Sequence, residues 1–270
     1  MRYVDHKHLR RAANLTQINA SNAAIANLVA DERSAFIDLH DHECSDLRDP
    51  LWGMGHMKCW YSEASLQQPE GQVEHYRPKK RLHGAGHAGY WWRAFDWKNL
   101  RLAHPTVNRR KTDYLTGKRA GKGSYFPIRD EGRRALNAAE EANEDPLLLD
   151  PVVATDTGLI CFSEESGAPR PRYTKEQNEW LNRRAEESIE YYHLDEASWN
   201  AERADLMAEV RIHCEQLETI ALQQPRDDVA YRDKINEIVG YISPFAKFSM
   251  ACLQVVRGKG LLEHFAPGVM

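Results

Sequence analysis

Val73-Glu74-His75-Tyr76-Arg77-Pro78-Lys79 places an acid and a histidine side by side at the end of a short apolar-polar run. Gln72 to His75 reads as a strand. Successive residues of a flat strand point to opposite faces. Glu74 and His75 therefore reach one point only if a turn or bulge begins there, and Pro78 helps to end the strand. Working outward, Trp97-Lys98-Asn99-Leu100 follows, then Val107-Asn108-Arg109-Arg110-Lys111. These residue types suit phosphodiester cleavage. That chemistry needs a base for water, a cation on the phosphate and donors for the developing charge. His75 suits the base role, because an imidazole titrates near neutral pH. Glu and Asn oxygens suit a hard divalent ion. Taken singly, each residue has a plainer explanation: a solvated Glu-His pair, or an Asn108 N-cap before a basic turn. Their order and spacing together point to chemistry.

That order of acid-His, Asn and Asn resembles the HNH nucleases, whose ββα-metal core carries such residues in this sequence. The resemblance implies that His75 is the general base and that Asn99 orients His75 or supports its loop. Glu74 and Asn108 would hold one Mg²⁺ or Mn²⁺, with Asn108 opening the helix of the motif. Arg77 and Lys111 become candidate phosphate contacts, and Lys118 and Arg119 candidate substrate-binding cations. Many HNH nucleases also carry two Cys-x-x-Cys pairs that hold a structural zinc. Here Cys59 keeps the first position, but Ser62, His104 and Val107 stand at the other three. Two possible ligands do not close a tetrahedral site, so no structural zinc is expected. Cys59 then reads as a small buried hydrophobe.

Asp145-Pro146-Leu147-Leu148-Leu149-Asp150-Pro151, Gly158-Leu159-Ile160-Cys161-Phe162 and Gly167-Ala168-Pro169 extend the likeness. This region resembles the HNH subunit of Septu-type anti-phage systems, relatives of which accompany some retrons. The likeness covers roughly residues 55 to 215. It implies an ABC/SMC-like ATPase partner and a nucleic-acid target, with DNA favoured. The alternatives are an RNA target such as tRNA, or a drifted subunit that binds nucleic acid or a partner without cutting.

Charge distribution supports a polyanion partner. The chain of 270 residues carries a net charge of -4. From Glu74 to Lys122 there are thirteen Lys or Arg against three acids, a balance of +10, which leaves -14 elsewhere. A basic strip on an acidic chain suggests a focused binding surface. The competing reading is a basic loop paired with acidic helices of the same chain. Five scattered cysteines do not read as a disulfide framework. No apolar run approaches a membrane span and the first residues lack a signal core, so a cytoplasmic protein is expected.

The fold class expected is α+β: a small ββα-metal core over 56-130, between an N-terminal helical segment (1-55) and a mainly helical region (131-270). Ile18, Ala24, Ile25, Leu28 and Val29 form an apolar stripe continued by Phe36, Ile37 and Leu39, and Asp49-Pro50 is expected to stop that helix. His83-Gly84-Ala85-Gly86-His87 reads as a flexible surface loop. The aromatic run Tyr90-Trp91-Trp92 to Trp97 reads mainly as core. Thr174 to Gln177 has the spacing of a capping box. Three further helical patterns follow, the last with Pro244 at its start and Phe245, Phe248, Leu253 and Val256 inside.

Overall fold

The computed structural model describes the chain apart from residues 12–14, 68–69, 113–118 and 266–270, and apart from the side chains of Lys111, Arg119 and Ala120. The fold is mixed α and β, and helix-rich. Helices α1 (Leu15–Ile25), α2 (Ala30–Ser45) and α3 (Arg48–Met54) come first. Ile18, Ile25 and Ile37 are buried as their spacing predicts, whereas Val29 and Leu39 lie exposed. Asp49-Pro50 does not stop a helix. Pro50 lies in the first turn of α3, where a missing N–H costs nothing because that turn has no internal partner for it.

Strand β1 (Gln72–His75) pairs antiparallel with β2 (Leu100–Ala103), with Glu74 opposite Arg101 and His75 opposite Leu100. The chain passes from β2 through His104 into the single turn α4 (Pro105–Asn108). The His104 ring accepts the Thr106 N–H at 3.1 Å, and Pro105 occupies the first helical position. A two-residue pair, β3 (Lys111–Thr112) with β4 (Arg119–Ala120), follows.

The segment between β1 and β2 is built into the body. Leu82 N–H bonds His87 C=O at 3.0 Å, and the buried His87 ring meets Ala135 C=O at 2.9 Å. The expected flexible loop is thus a tied one. Tyr90 and Phe95 are core residues, as expected for the aromatic run.

A third antiparallel pair, β5 (Ile160–Phe162) with β6 (Pro169–Pro171), leads into α5 (Lys175–Tyr191), α6 (Ala197–Ala221), α7 (Asp228–Ile242) and α8 (Ser249–Gly258). Thr174 and Gln177 form the reciprocal capping box. Helix α6 packs on both α7 and α8, burying Met207, Val210, Cys214 and Leu217. Helix α8 begins after Phe248 and not at Pro244; Phe245 is exposed and lies against the His56 ring.

The segment that follows holds the hairpin through polar contacts at Leu148 and Asp150. Tyr76 Oη donates to Leu148 C=O at 2.6 Å, and Arg101 grips Asp150 through two 2.7 Å hydrogen bonds. Among the described residues, no helix is long and apolar enough to cross a membrane.

Candidate active site

The end of β1 and the end of α4 border one cleft, whose lining includes Glu74, His75, Asn108, Arg109, Arg110 and Ser124. Antiparallel pairing explains the meeting. β2 returns alongside β1, so the turn that follows β2 comes back near the start of β1. There the Asn108 and Gln72 amides meet at 3.1 Å.

Glu74 is buried, and both of its oxygens are engaged. Oε2 accepts the Tyr61 hydroxyl at 2.7 Å. Oε1 is ion-paired with Nζ of Lys122, whose side chain has 0% of its surface exposed. The same ammonium donates to His75 C=O at 2.8 Å. Burial pulls the Lys122 pKa below the ordinary lysine value, although Glu74 opposes the shift. Losing either partner would leave a buried charge uncompensated, at a cost of about 3–5 kcal/mol.

The His75 ring is half-buried, with Nε2 2.8 Å from Ala94 C=O. A carbonyl can only accept, so Nε2 carries the proton and Nδ1 is left as the lone-pair nitrogen. Burial, together with the charges of Lys79 and Lys122, holds the His75 pKa well below its usual value, against the pull of the Ala94 hydrogen bond. The imidazole is neutral at physiological pH, which is the form a base requires.

Asn99 is buried and lies outside the cleft lining, in the wall of a separate cavity with Arg77 and Arg101. Its Oδ1 accepts the Arg77 N–H at 2.8 Å, and its Nδ2 donates to Arg77 C=O at 2.9 Å and Arg93 C=O at 3.2 Å. The amide thus staples the turn that follows β1. Of the two roles expected for Asn99, this geometry is that of loop support.

The sequence-predicted cations are dispersed. Arg77 is not at the cleft. It pairs with Glu144 and Glu141 and lies over the Tyr90 and Phe126 rings. Lys111 and Arg119 are placed only as backbone in β3 and β4, and Lys118 lies outside the described residues. Much of the basic strip is paired within the chain: Lys79 with Asp41, Lys80 with Asp38, Arg93 with Asp96 and Glu141, and Arg101 with Asp150. Cys59 is buried and its Sγ accepts the His104 N–H at 3.2 Å, while Val107 is core.

A scan against protein-family models finds none that matches the chain. Over 169 residues the chain is 30% identical to the Septu protein PtuB of Bacillus mycoides (strain KBAB4), a match covering 57% of this chain and 48% of that protein. The chain therefore spans about half the length of the curated relative it matches.

Lys122 and Tyr61 are the site residues that sequence reasoning missed. Tyr61 offered no local signal. Lys122 did carry one, in the Gly121-Lys122-Gly123 triplet. Gly121 has a φ of +99°, and a Cβ there would sit 2.1 Å from Arg109 C=O. Only glycine fits so close an approach. The triplet is clamped to α4 by Lys122 N–H to Val107 C=O at 2.9 Å and Gly123 N–H to Asn108 C=O at 2.8 Å.

Proposed function

We propose that this chain is the nuclease component of a Septu-type anti-phage defence system. It would be an HNH endonuclease, dependent on a divalent ion, that hydrolyses phosphodiester bonds in nucleic acid, DNA foremost. The observation that carries the reading is the β1–β2–α4 hairpin-and-turn, which brings Glu74, His75 and Asn108 to one cleft with Asn99 bracing the turn that follows β1. The likeness to a protein named for Septu supports the defence context.

The donor chemistry at the cleft suits Mg²⁺ or Mn²⁺ in kind. Among the described residues no cluster of three or more His, Cys, Asp or Glu gathers to hold an ion. A carboxylate plus an amide oxygen, completed by water and phosphate oxygens, is nonetheless the mixture a hard cation takes. Glu74 and Asn108 would hold the ion, which supplies charge neutralisation at the phosphate and leaving oxygen. His75 accepts the proton of the attacking water at Nδ1, since Nε2–H is committed to Ala94 C=O. Asn99 keeps the turn after His75 in place. Arg109 and Arg110, which also line the cleft, would contact the substrate phosphate. An ABC/SMC-like ATPase is the partner this reading calls for.

The test incubates the purified chain with plasmid DNA and with tRNA in Mn²⁺, alone and with a co-expressed ATPase subunit. Cleavage of plasmid is expected. His75→Ala should lower the rate by about 10²- to 10⁴-fold with folding unchanged, the span for loss of a general base. Cleavage of tRNA alone would redirect the reading to RNA. Wild-type rates from His75→Ala, or no cleavage of either substrate with the partner present, would overturn it.

A further inference from the structure

The ammonium of Lys122 sits on the one carboxylate that the proposed reaction assigns to a divalent ion. Glu74 Oε1 receives Lys122 Nζ, and Oε2 receives the Tyr61 hydroxyl. The hydroxyl is neutral and can stay when a cation arrives. The ammonium cannot remain at no cost, because two cations against one buried carboxylate repel strongly where the dielectric is low. Nor is the ammonium there as a surface partner. Among the described residues its hydrogen-bond partners are Glu74 and the His75 carbonyl. It is delivered by the segment whose backbone is clamped to Val107 and Asn108. A lysine buried in this way keeps its charge only while an anion compensates it.

We propose that Lys122 is an internal counter-ion that holds Glu74 in the ion-free chain and is exchanged off that carboxylate when the divalent ion enters. The inference rests on the reading of Glu74 as an ion ligand. The pairing keeps the carboxylate fixed beside His75 without an ion and sets a threshold for loading. Nζ ends a four-carbon stem with freely rotating bonds. Once displaced, it can turn toward the cleft wall that Arg109 and Arg110 line, where substrate phosphate would compensate it. Substrate and ion would then favour each other's binding, because each relieves a cost the other would otherwise meet.

The experiment titrates Mn²⁺ into the chelator-stripped full chain and follows the free ion by electron paramagnetic resonance, with no nucleic acid present. Lys122→Met and Lys122→Gln should bind Mn²⁺ about 5- to 150-fold more tightly than the natural chain, the range of an ordinary coupling between competing occupants of one site. Lys122→Arg, which keeps a cation on Glu74, should stay near the natural affinity. Thermal melting with and without Mn²⁺ supplies a second readout. The Met and Gln variants should melt lower than the natural chain without the ion and regain more on adding it, which stays measurable if Lys122→Met is only marginally folded. Equal or weaker binding by both variants, with the natural chain binding, would make Lys122 a structural strut and overturn the exchange. No binding by any of the proteins, Lys122→Gln being folded, would overturn the ion-dependent reading and the exchange with it. Loss of the tight binding in Glu74→Gln/Lys122→Gln would support Glu74 as the ligand; its retention would place the ion elsewhere and overturn both.

Discussion

Asn99 shows how one side chain can carry an architecture. It makes three hydrogen bonds to the backbone of two residues, Arg77 and Arg93, and is itself buried. Alanine would leave the Arg77 N–H and C=O without partners, and a buried unpaired group costs about 1–3 kcal/mol. Asn99→Ala should therefore lose about 2–3 kcal/mol in denaturant unfolding, with cleavage falling further than the stability loss explains. An unchanged unfolding midpoint would remove Asn99 from its bracing role. Loop support was one of the two parts that the HNH resemblance implied for this residue. The part of Lys122 was not legible. Lys111 stands three residues after Asn108 in the sequence, while the lysine that reaches Glu74 lies across the β3–β4 pair. Sequence spacing cannot count residues that fold out and back. Arg77 was misplaced for a related reason: Glu144, which pairs with it, is 67 residues away in the chain.

At the scale of elements, the β3–β4 pair and the Gly121 turn aim Lys122. Gly121→Ala combines a left-handed φ with a contact at 2.1 Å to Arg109 C=O. A position that excludes a Cβ on both grounds should cost about 2 kcal/mol or more. Thermal unfolding checks this, and a Gly121→Ala chain as stable as its parent would show that the turn can relax. The helices of the flanks were the legible elements, because local periodicity and the Thr174 capping box are local signals. Their ends were less so. Pro50 marks the start of α3 and not a stop, and Pro244 precedes α8 without opening it.

At the scale of the whole molecule, ion pairs between distant segments take up much of the basic strip that composition singled out and also tie the flanks together. Glu63, outside that strip, is a buried acid that joins several segments. It meets the Met1 ammonium at 3.1 Å, the Ser249 hydroxyl at 2.7 Å, the Met250 N–H at 3.2 Å and Lys58 at 3.7 Å. Burial alone would raise its pKa, but the Met1 ammonium, Lys58 and Ser249 outweigh burial and bring it from 4.5 to about 2. A depressed folded-state value means stability that is present above pH 4.5 and lost as pH falls toward 2. At about 1.4 kcal/mol per pH unit, Glu63 should contribute about 3 kcal/mol at neutral pH. Glu63→Gln should be less stable by roughly that amount at neutral pH, and its stability should converge on the parent's toward pH 2. Parallel curves over that window would show that Glu63 is not the group responsible.

The contacts of Glu63 also make a short mechanical linkage. Its carboxylate holds the first turn of α8, its C=O accepts the Phe248 N–H at 3.2 Å, and two residues back along the chain the Tyr61 hydroxyl steadies Glu74. One short span of backbone, Tyr61 to Glu63, therefore joins the first turn of α8 to the carboxylate at the cleft, so the hydrogen bonds that seat α8 and those that steady Glu74 share an anchor.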